Sequence, residues 1–300
     1  MVLNGQAIRT ASVGFQVLFS QGWEAAAPTY PDLCMGTSST GERETYHLDG
    51  GLPEMREWVG ERQRQNLKRY TYDLVNRKWE LTINIPSDAF NDDKLGLFKQ
   101  RFMQMGSAAK VHPDKLLAEL MQGGFVANGY DEVPFFGATH PKLTGANQSN
   151  VQAGALDATT FKAAFTKLRK MRDDYNKPID VFALGGKPTL IVPPELEDTA
   201  RTILLVEREA GGATNPDFNR AQLKVFNRLS DTPTYWFLGI TGASMRPFIH
   251  QVREAAQVVA RDQPSDDVVF NRDEIEYGIK GRWALGYGMW QLMVGSTGGA

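Results

Sequence analysis

The sequence predicts an α+β chain with extended appendages, and three patterns carry that expectation. Residues 70–85 alternate with period two, residues 95–121 repeat apolar groups at 3-4 spacing, and short apolar runs alternate with helical stretches after Thr189. The elements follow in order. The first forty residues hold a short amphipathic stretch and then a Pro-, Gly-, Ser- and Thr-rich run from Pro28 to Gly41, which reads as an arm with little to bury against itself. Glu54–Arg69 is highly charged. Beyond it, Tyr70, Tyr72 and Leu74 on one limb and Trp79, Leu81, Ile83 and Ile85 on the other predict a β-hairpin joined around Asn76. A two-stranded hairpin is marginal alone in water, so this one must lie on something else, another copy of the chain included.

After Asn91-Asp92-Asp93, apolar groups at Leu95, Phe98, Phe102, Met105 and Ala109, resuming at Leu116, Leu117, Leu120 and Met121, predict one long helix that continues through Pro113 to Gly123-Gly124. A Gly- and Asn-rich connection leads to a helix with Phe161, Phe165, Leu168, Met171 and Tyr175 on one face. Thr189–Val192 reads as a buried strand. Pro193-Pro194 opens a helix that Gly211-Gly212 closes. Strands follow at Leu223–Phe226 and Tyr235–Leu238. The last stretch, Ile275–Val294, mixes aromatics with Gly278, Gly281, Gly286 and Gly288, where strand glycines mark bends, bulges or close backbone approach.

Composition bounds the function. The 300 residues are about two average domains' worth of chain. With 33 basic against 35 acidic residues the net charge is -2, which excludes a chain whose main task is coating nucleic acid or an anionic membrane. The single cysteine, Cys34, excludes an intramolecular disulfide framework and suits a reducing compartment. The apolar stretch Val13–Phe19 is too short and too interrupted for a signal peptide, and no run approaches the ~18 apolar residues of a membrane span.

A search for chemistry comes back empty, and no cofactor is implied. His47, His112, His140 and His250 lack the i, i+4 pairing of a helical zinc site. His112-Pro113-Asp114 spells a co-chaperone tripeptide but reads as an Asp behind a helix-opening Pro. Gly185-Gly186-Lys187 lacks the upstream glycine of a phosphate loop and has Pro188 where a hydroxyl must hold magnesium. Asp92-Asp93, Asp173-Asp174 and Asp266-Asp267 sit at element ends, where Asp caps and solubilises. No Gly-x-Ser-x-Gly elbow occurs. Glu54, Glu57 and Glu61 neutralise much of the basic charge of Arg56, Arg62, Arg64, Lys68 and Arg69, so an inter-subunit salt-bridged or solvated face is expected there before a nucleic-acid site.

Arg56–Gly60 (REWVG), continuing to Asp88–Asp93 and Leu95-Gly96, resembles the major head subunit of Mu-like tailed phages. Tyr130-Asp131 with Pro134–Phe136 and His140-Pro141 resembles that family's loop signature, and Leu190–Glu197 its strand-to-helix junction. Arg246–Ile249 and Gly286–Gln291 are similar too, so five motifs in the family's order cover most of the chain from about residue 45. The resemblance implies a Hong Kong 97 type capsid fold: an N-terminal arm (1–41), an extended β-hairpin loop (42–93), a peripheral domain with a long spine helix (94–154), an axial domain (155–249) and a return to the peripheral domain (250–300). It implies a structural protein, not an enzyme, that assembles with itself into pentamers and hexamers of an icosahedral head around packaged double-stranded DNA. The implied partners are scaffold, portal and decoration proteins, with non-specific DNA contact and no membrane. The implied place is the virion, after assembly in the host cytoplasm. Candidate inter-subunit contacts are Trp58, Arg62, Arg64, Tyr72 and Trp79, with Trp79 the expected anchor. Lys68 and Lys78 lie where some relatives form cross-links, but none are expected here. An encapsulin-like shell enclosing cargo protein and an oligomeric α/β enzyme are the alternatives.

Overall fold

The structure is a computed structural model describing residues 5–49, 57, 60, 69–88, 95–143, 145–208, 211–263 and 265–299, with the backbone path alone for 5–13, 49, 69, 95–97 and 185. Its longest helix, α3 (Leu95–Gly123), runs unbroken through Pro113 as the apolar period predicts, although the Pro ring removes one intrahelical N–H donor. The N-terminal stretch is more than a short arm: α1 (Gly5–Ala25) lies along α3, and Phe15 and Phe19 meet Phe102, Met105 and Tyr277 in one apolar cluster. Phe15 stacks edge-on against Phe102 at 4.3 Å. The two backbones approach closely because Gly22 and Gly106 face them; a Cβ on Gly106 would lie 2.1 Å from the Phe19 carbonyl oxygen.

Under α3 lies a four-stranded sheet in the order β1-β8-β9-β4, with β1 at Cys34–Ser38, β4 at Arg77–Pro86, β8 at Phe248–Arg261 and β9 at Glu274–Tyr287. β1 pairs parallel with β8; the other two pairings are antiparallel. The helix α2 (Tyr30–Leu33) precedes β1, and Asp114 of α3 accepts the backbone N–H groups of Thr29 and Tyr30 at 2.6–3.0 Å. Asp114 therefore opens α2, not its own helix, which has no break at Pro113.

The expected hairpin across Asn76 is corrected. β3 (Arg69–Val75) pairs antiparallel with β2 (Arg43–Asp49) in a separate two-stranded ribbon, while β4 pairs with β9, so the two limbs part at Asn76. Asn76 is a buried corner. Its Nδ2 donates to Ser39 Oγ and the Gly41 carbonyl, its Oδ1 accepts from Gln251 Nε2, and its own N–H reaches the Glu42 carbonyl. A corner with all these groups bonded replaces the turn that the alternation suggests.

The second sheet runs β10-β7-β5-β6, with β5 at Thr189–Val192, β6 at Gln222–Val225, β7 at Trp236–Gly239 and β10 at Met293–Ser296. β5 and β7 are buried throughout, as continuous apolar runs should be. Helix α4 (Ala158–Arg169) packs on β10 and β7 through Phe161, Ala164, Phe165 and Leu168, and Asp157 with Thr160 closes a capping box at its start. It stops before the expected Tyr175, because Asp173 Oδ1 draws the N–H groups of Tyr175 and Lys177 into a turn. α5 (Val181–Gly185) follows. After a 3-10 turn at Pro194–Leu196, α6 (Glu197–Leu205) covers β5 and β6; it ends well before Gly211 because Asn215 Nδ2 caps the Ile203 and Val206 carbonyls. The short α7 (Asp267–Arg272) connects β8 to β9. One core cluster joins Leu117 and Met121 of α3 to Trp236, Phe237 and Trp290. No described helix is long and apolar enough to cross a membrane.

Candidate functional site

The ribbon β2–β3 turns Tyr46, Leu48, Tyr70, Tyr72 and Leu74 inward, and leaves Arg43, Thr45, His47, Thr71 and Asp73 exposed. Its root is held by Gln251, fully buried on β8, which donates to the Leu74 carbonyl and Asn76 Oδ1 and accepts from the Tyr46 hydroxyl at 2.9 Å. Tyr70 adds a bond of 2.5 Å to Asp174 Oδ2 and a ring contact with Tyr130. Within the described residues the ribbon is thus seated on its own chain, a fuller seat than the sequence suggests.

Two of the five expected contact residues are described, and the structure brings them together. Tyr72 and Trp79 line one groove of about 490 Å³ with Leu116, Leu120, Ala284 and Tyr287. The Tyr72 hydroxyl accepts the Tyr287 N–H at 3.3 Å, and the Tyr287 hydroxyl donates to the Leu120 carbonyl of α3. Trp79 is half-buried. Its Nε1 donates to the Trp283 carbonyl at 3.0 Å, and its ring lies 4.5 Å from His112 and 6.5 Å from Trp283. On its other side Trp79 walls a second groove, about 190 Å³, with Leu81, Ala108, Ala109, Ile279 and Trp283. One indole therefore lines both grooves, of which the smaller is the more apolar. Trp58, Arg62, Arg64 and Lys68 lie outside the described residues.

The aromatic and imidazole groups of these grooves are uncharged at neutral pH, while Asp73, Arg77 and Glu119 also line the larger groove and Glu80 the smaller. Burial raises the Tyr72 and Tyr287 phenols, and burial together with Lys115 lowers the His112 imidazole. The walls can hold an apolar or aromatic partner group; they offer no nucleophile beside a base. Cys34 is buried, with burial first and Asp114 second pushing its thiol far up, which leaves it inert.

The remaining sequence candidates are structural. His140 is fully buried between Asp131 Oδ2 at 2.6 Å and Asn150 Oδ1 at 3.1 Å, and stacks on Trp290 at 3.8 Å. His250 is buried edge-on against Tyr30, and His47 is exposed. Asp173 and Asp174 hold the turn and Tyr70 as above, Asp266 accepts the Gln263 N–H, and Asp267 approaches Arg261 at 3.8 Å. Lys187 bonds Asn219, and Asp92-Asp93 lies outside the described residues. Among the described residues no three metal-capable side chains cluster. Sequence reasoning missed Gln251 and Asn150, because a lone amide carries no signal of burial.

Comparison with known proteins accounts for this arrangement. Among curated relatives, the chain is 26% identical to the major capsid protein of Escherichia phage Mu over 298 residues, 99% of this chain and 76% of that one. It is 24% identical to the Mu-like prophage FluMu major head subunit of Haemophilus influenzae, covering 95% of this chain and 71% of the relative. The procapsid subunit of bacteriophage JBD30 superposes with a TM-score of 0.61 at 23% identity, covering 98% of this chain and 76% of that one. The subunit of a virus-like particle from Pyrococcus furiosus shares the fold at a TM-score of 0.55 and 8% identity, over 93% and 96% of the two chains. The fold is therefore of the Hong Kong 97 capsid type. The model of the family described as Mu-like prophage major head subunit gpT matches residues 8–155, 151–229 and 217–299. On this match, the chain belongs to the Mu-like prophage major head subunit family.

Proposed function

We propose that copies of this head subunit associate as pentamers and hexamers and close an icosahedral shell around packaged double-stranded DNA. The subunit is structural and not an enzyme, and its place is the virion capsid. The observation that carries the reading is the β2–β3 ribbon beside the Trp79 grooves. The ribbon joins neither four-stranded sheet, and it leads into residues 50–68, which carry Trp58, Arg62 and Arg64. In the proposal that segment of one copy lies over the body of the next, with Tyr72 and Trp79 as the receiving walls. Contacts between two different faces of this kind close into rings.

In this reading residues 1–41 are the arm, 42–93 the extended loop, 94–154 the peripheral domain with α3 as spine, 155–249 the axial domain, and 250–300 the return. Assembly takes place in the host cytoplasm with a scaffold and a portal. A decoration protein is a further partner; one JBD30 capsid of this fold is described as decorated with minor capsid protein trimers. DNA contact is non-specific, which suits a near-neutral wall. Shells are held without covalent cross-links through Lys68 or Lys78; a ladder of covalent oligomers on a denaturing gel of mature particles would overturn that. Electron microscopy of the protein expressed with its scaffold tests the whole reading. Shells built of five- and six-fold rings are expected. Dimers or tetramers with no megadalton species would refute it, and shells filled with protein cargo and free of nucleic acid would replace DNA with cargo.

A further inference from the structure

We propose that neighbouring subunits within a ring are held by the two charged flanks of the β10-β7-β5-β6 sheet, the basic face of α4 on one copy seating the acidic face of α6 on the next. A closed ring needs two different, mutually complementary faces on every subunit. This sheet carries such a pair on its two halves. Helix α4 packs on β10 and β7, and α6 packs on β5 and β6, the opposite half.

The two helices differ in charge. Ala158–Lys170 contains Lys162, Lys167, Arg169 and Lys170 and no acid. Beside its exposed face runs a groove of about 550 Å³ lined by Lys162, Ala163, Thr166, Lys167 and Lys170. Lys162 is 3.3 Å from Asp217, Lys167 donates to the Val151 carbonyl, and Lys170 has no ion pair among the described residues. On α6 and the turn before it, Glu195, Glu197 and Asp198 face a single cation, Arg201, which Glu197 holds at 2.7 Å. Glu195 and Asp198 are exposed and left over. Asp198, Thr202 and Leu205 share one exposed stripe at i, i+4 and i+7. That stripe ends on exposed apolar side chains, Leu205 at 48% and Val206 at 43%. The exposed groups of α6 thus form an acidic ridge with an apolar end, and those of α4 a basic groove with a small-residue floor, the two helices bridged by the turn that carries Asp217 and Arg220. Complementary potentials of this kind select the partner face and its register, and suppress like-on-like contact.

The inference rests on the ring reading above, and the test separates the two. Three full-length variants are expressed as for wild type: Thr166→Glu with Lys170→Glu, Glu195→Lys with Asp198→Lys, and all four together. The first two sets leave Lys162, Lys167 and the Glu197–Arg201 pair untouched. Rings and shells are counted by electron microscopy and sedimentation velocity. Each two-site variant should lose at least about tenfold in assembled material, since like charges brought face to face cost several kcal/mol. The four-site variant should recover it. An equimolar mixture of the two-site variants should form hexamers, in which they alternate, but no pentamers. Wild-type shells with two-site variants that assemble normally, or with no recovery in the four-site variant, overturn the flank proposal and leave the ring reading standing; wild type that forms no rings overturns both. Should a variant fail to fold, zero-length amine–carboxyl cross-linking of wild-type shells decides. Inter-subunit links from Lys170 to Glu195 or Asp198 are expected, and links confined to other sites refute the proposal.

Discussion

Replacing Asn150 with leucine tests whether one buried amide ties the loop over residues 124–150 to the C-terminal segment. Asn150 is fully buried. Its Oδ1 accepts the Gly137 N–H at 2.8 Å, and its Nδ2 donates to the carbonyls of Phe135 at 2.8 Å, Met293 at 3.1 Å and Trp290 at 3.3 Å. Leucine matches the amide in shape, so little cavity forms and the cost falls on the abandoned partners. The Trp290 carbonyl keeps the Met293 N–H, whereas the Gly137 N–H, the His140 Nε2 and the Phe135 carbonyl lose the amide that answers them. Each stranded buried group costs about 1–3 kcal/mol, which makes the expected loss about 6 kcal/mol. Against a typical total stability of about 5–15 kcal/mol this is severe. Urea unfolding of unassembled subunits measures it, with Asn147→Leu as the exposed control, expected within about 0.5 kcal/mol of wild type. A loss under about 1 kcal/mol for Asn150→Leu would refute the reasoning, because the stranded groups would then have found other partners.

Three further outcomes follow from the same geometry. Gly106→Ala should loosen α1 from α3 at a cost of about 1–3 kcal/mol, since its Cβ would sit 2.1 Å from the Phe19 carbonyl oxygen; faster limited proteolysis within residues 5–25 is the readout. Burial lowers His250 from 6.5 to about 4. A lowered folded value means that stability is complete above pH 6.5 and is lost as the pH falls towards 4, by up to about 3 kcal/mol, and His250→Leu should abolish that part of the acid dependence in melting curves. Trp79→Ala should lower shell yield while leaving a folded subunit, because the indole walls both grooves; normal shells at unchanged yield would remove Trp79 from the interface.

Legibility tracked where the burial is. The spine helix, the runs at Thr189–Val192 and Trp236–Gly239, and the inner face of α4 were readable because their apolar groups point into this chain's own core. Strand β8 gave no such signal. Beyond Gln251 its residues are exposed or half-exposed, and what holds the strand extended is backbone pairing with β9, interrupted by register shifts near Glu254. Alternation marked residues 70–75 and 77–86 as strands but carried nothing about their partners. Sequence adjacency suggested a hairpin, whereas β4 finds its partner about two hundred residues away, at Trp283 opposite Arg77. Of the five expected contact residues, Tyr72 and Trp79 lie among the described residues. Tyr72 and Trp79 stood out as aromatics in a polar stretch and do share a groove, yet each also bonds its own chain, which no pattern of spacing could show.

The glycine content, 29 of 300, is where the physical reading moves furthest from the sequence. For the glycines of the last strands the sequence leaves bends, bulges and close backbone approach open. The structure favours close approach. A Cβ on Gly281 would fall 2.0 Å from the Trp283 ring, and one on Gly288 would fall 2.5 Å from the Arg246 carbonyl oxygen. These positions lie in or beside the central strand β9, against which β4, β8 and α3 all pack. Rigidity there has a use. The smaller Trp79 groove sits on β9 through Ile279, Gly281 and Trp283, and under the proposed assembly a surface that accepts identical neighbours needs walls held in register. In such a subunit, substitutions at Gly281 should damage assembly and folding together, whereas changes in residues 50–68 should damage assembly alone.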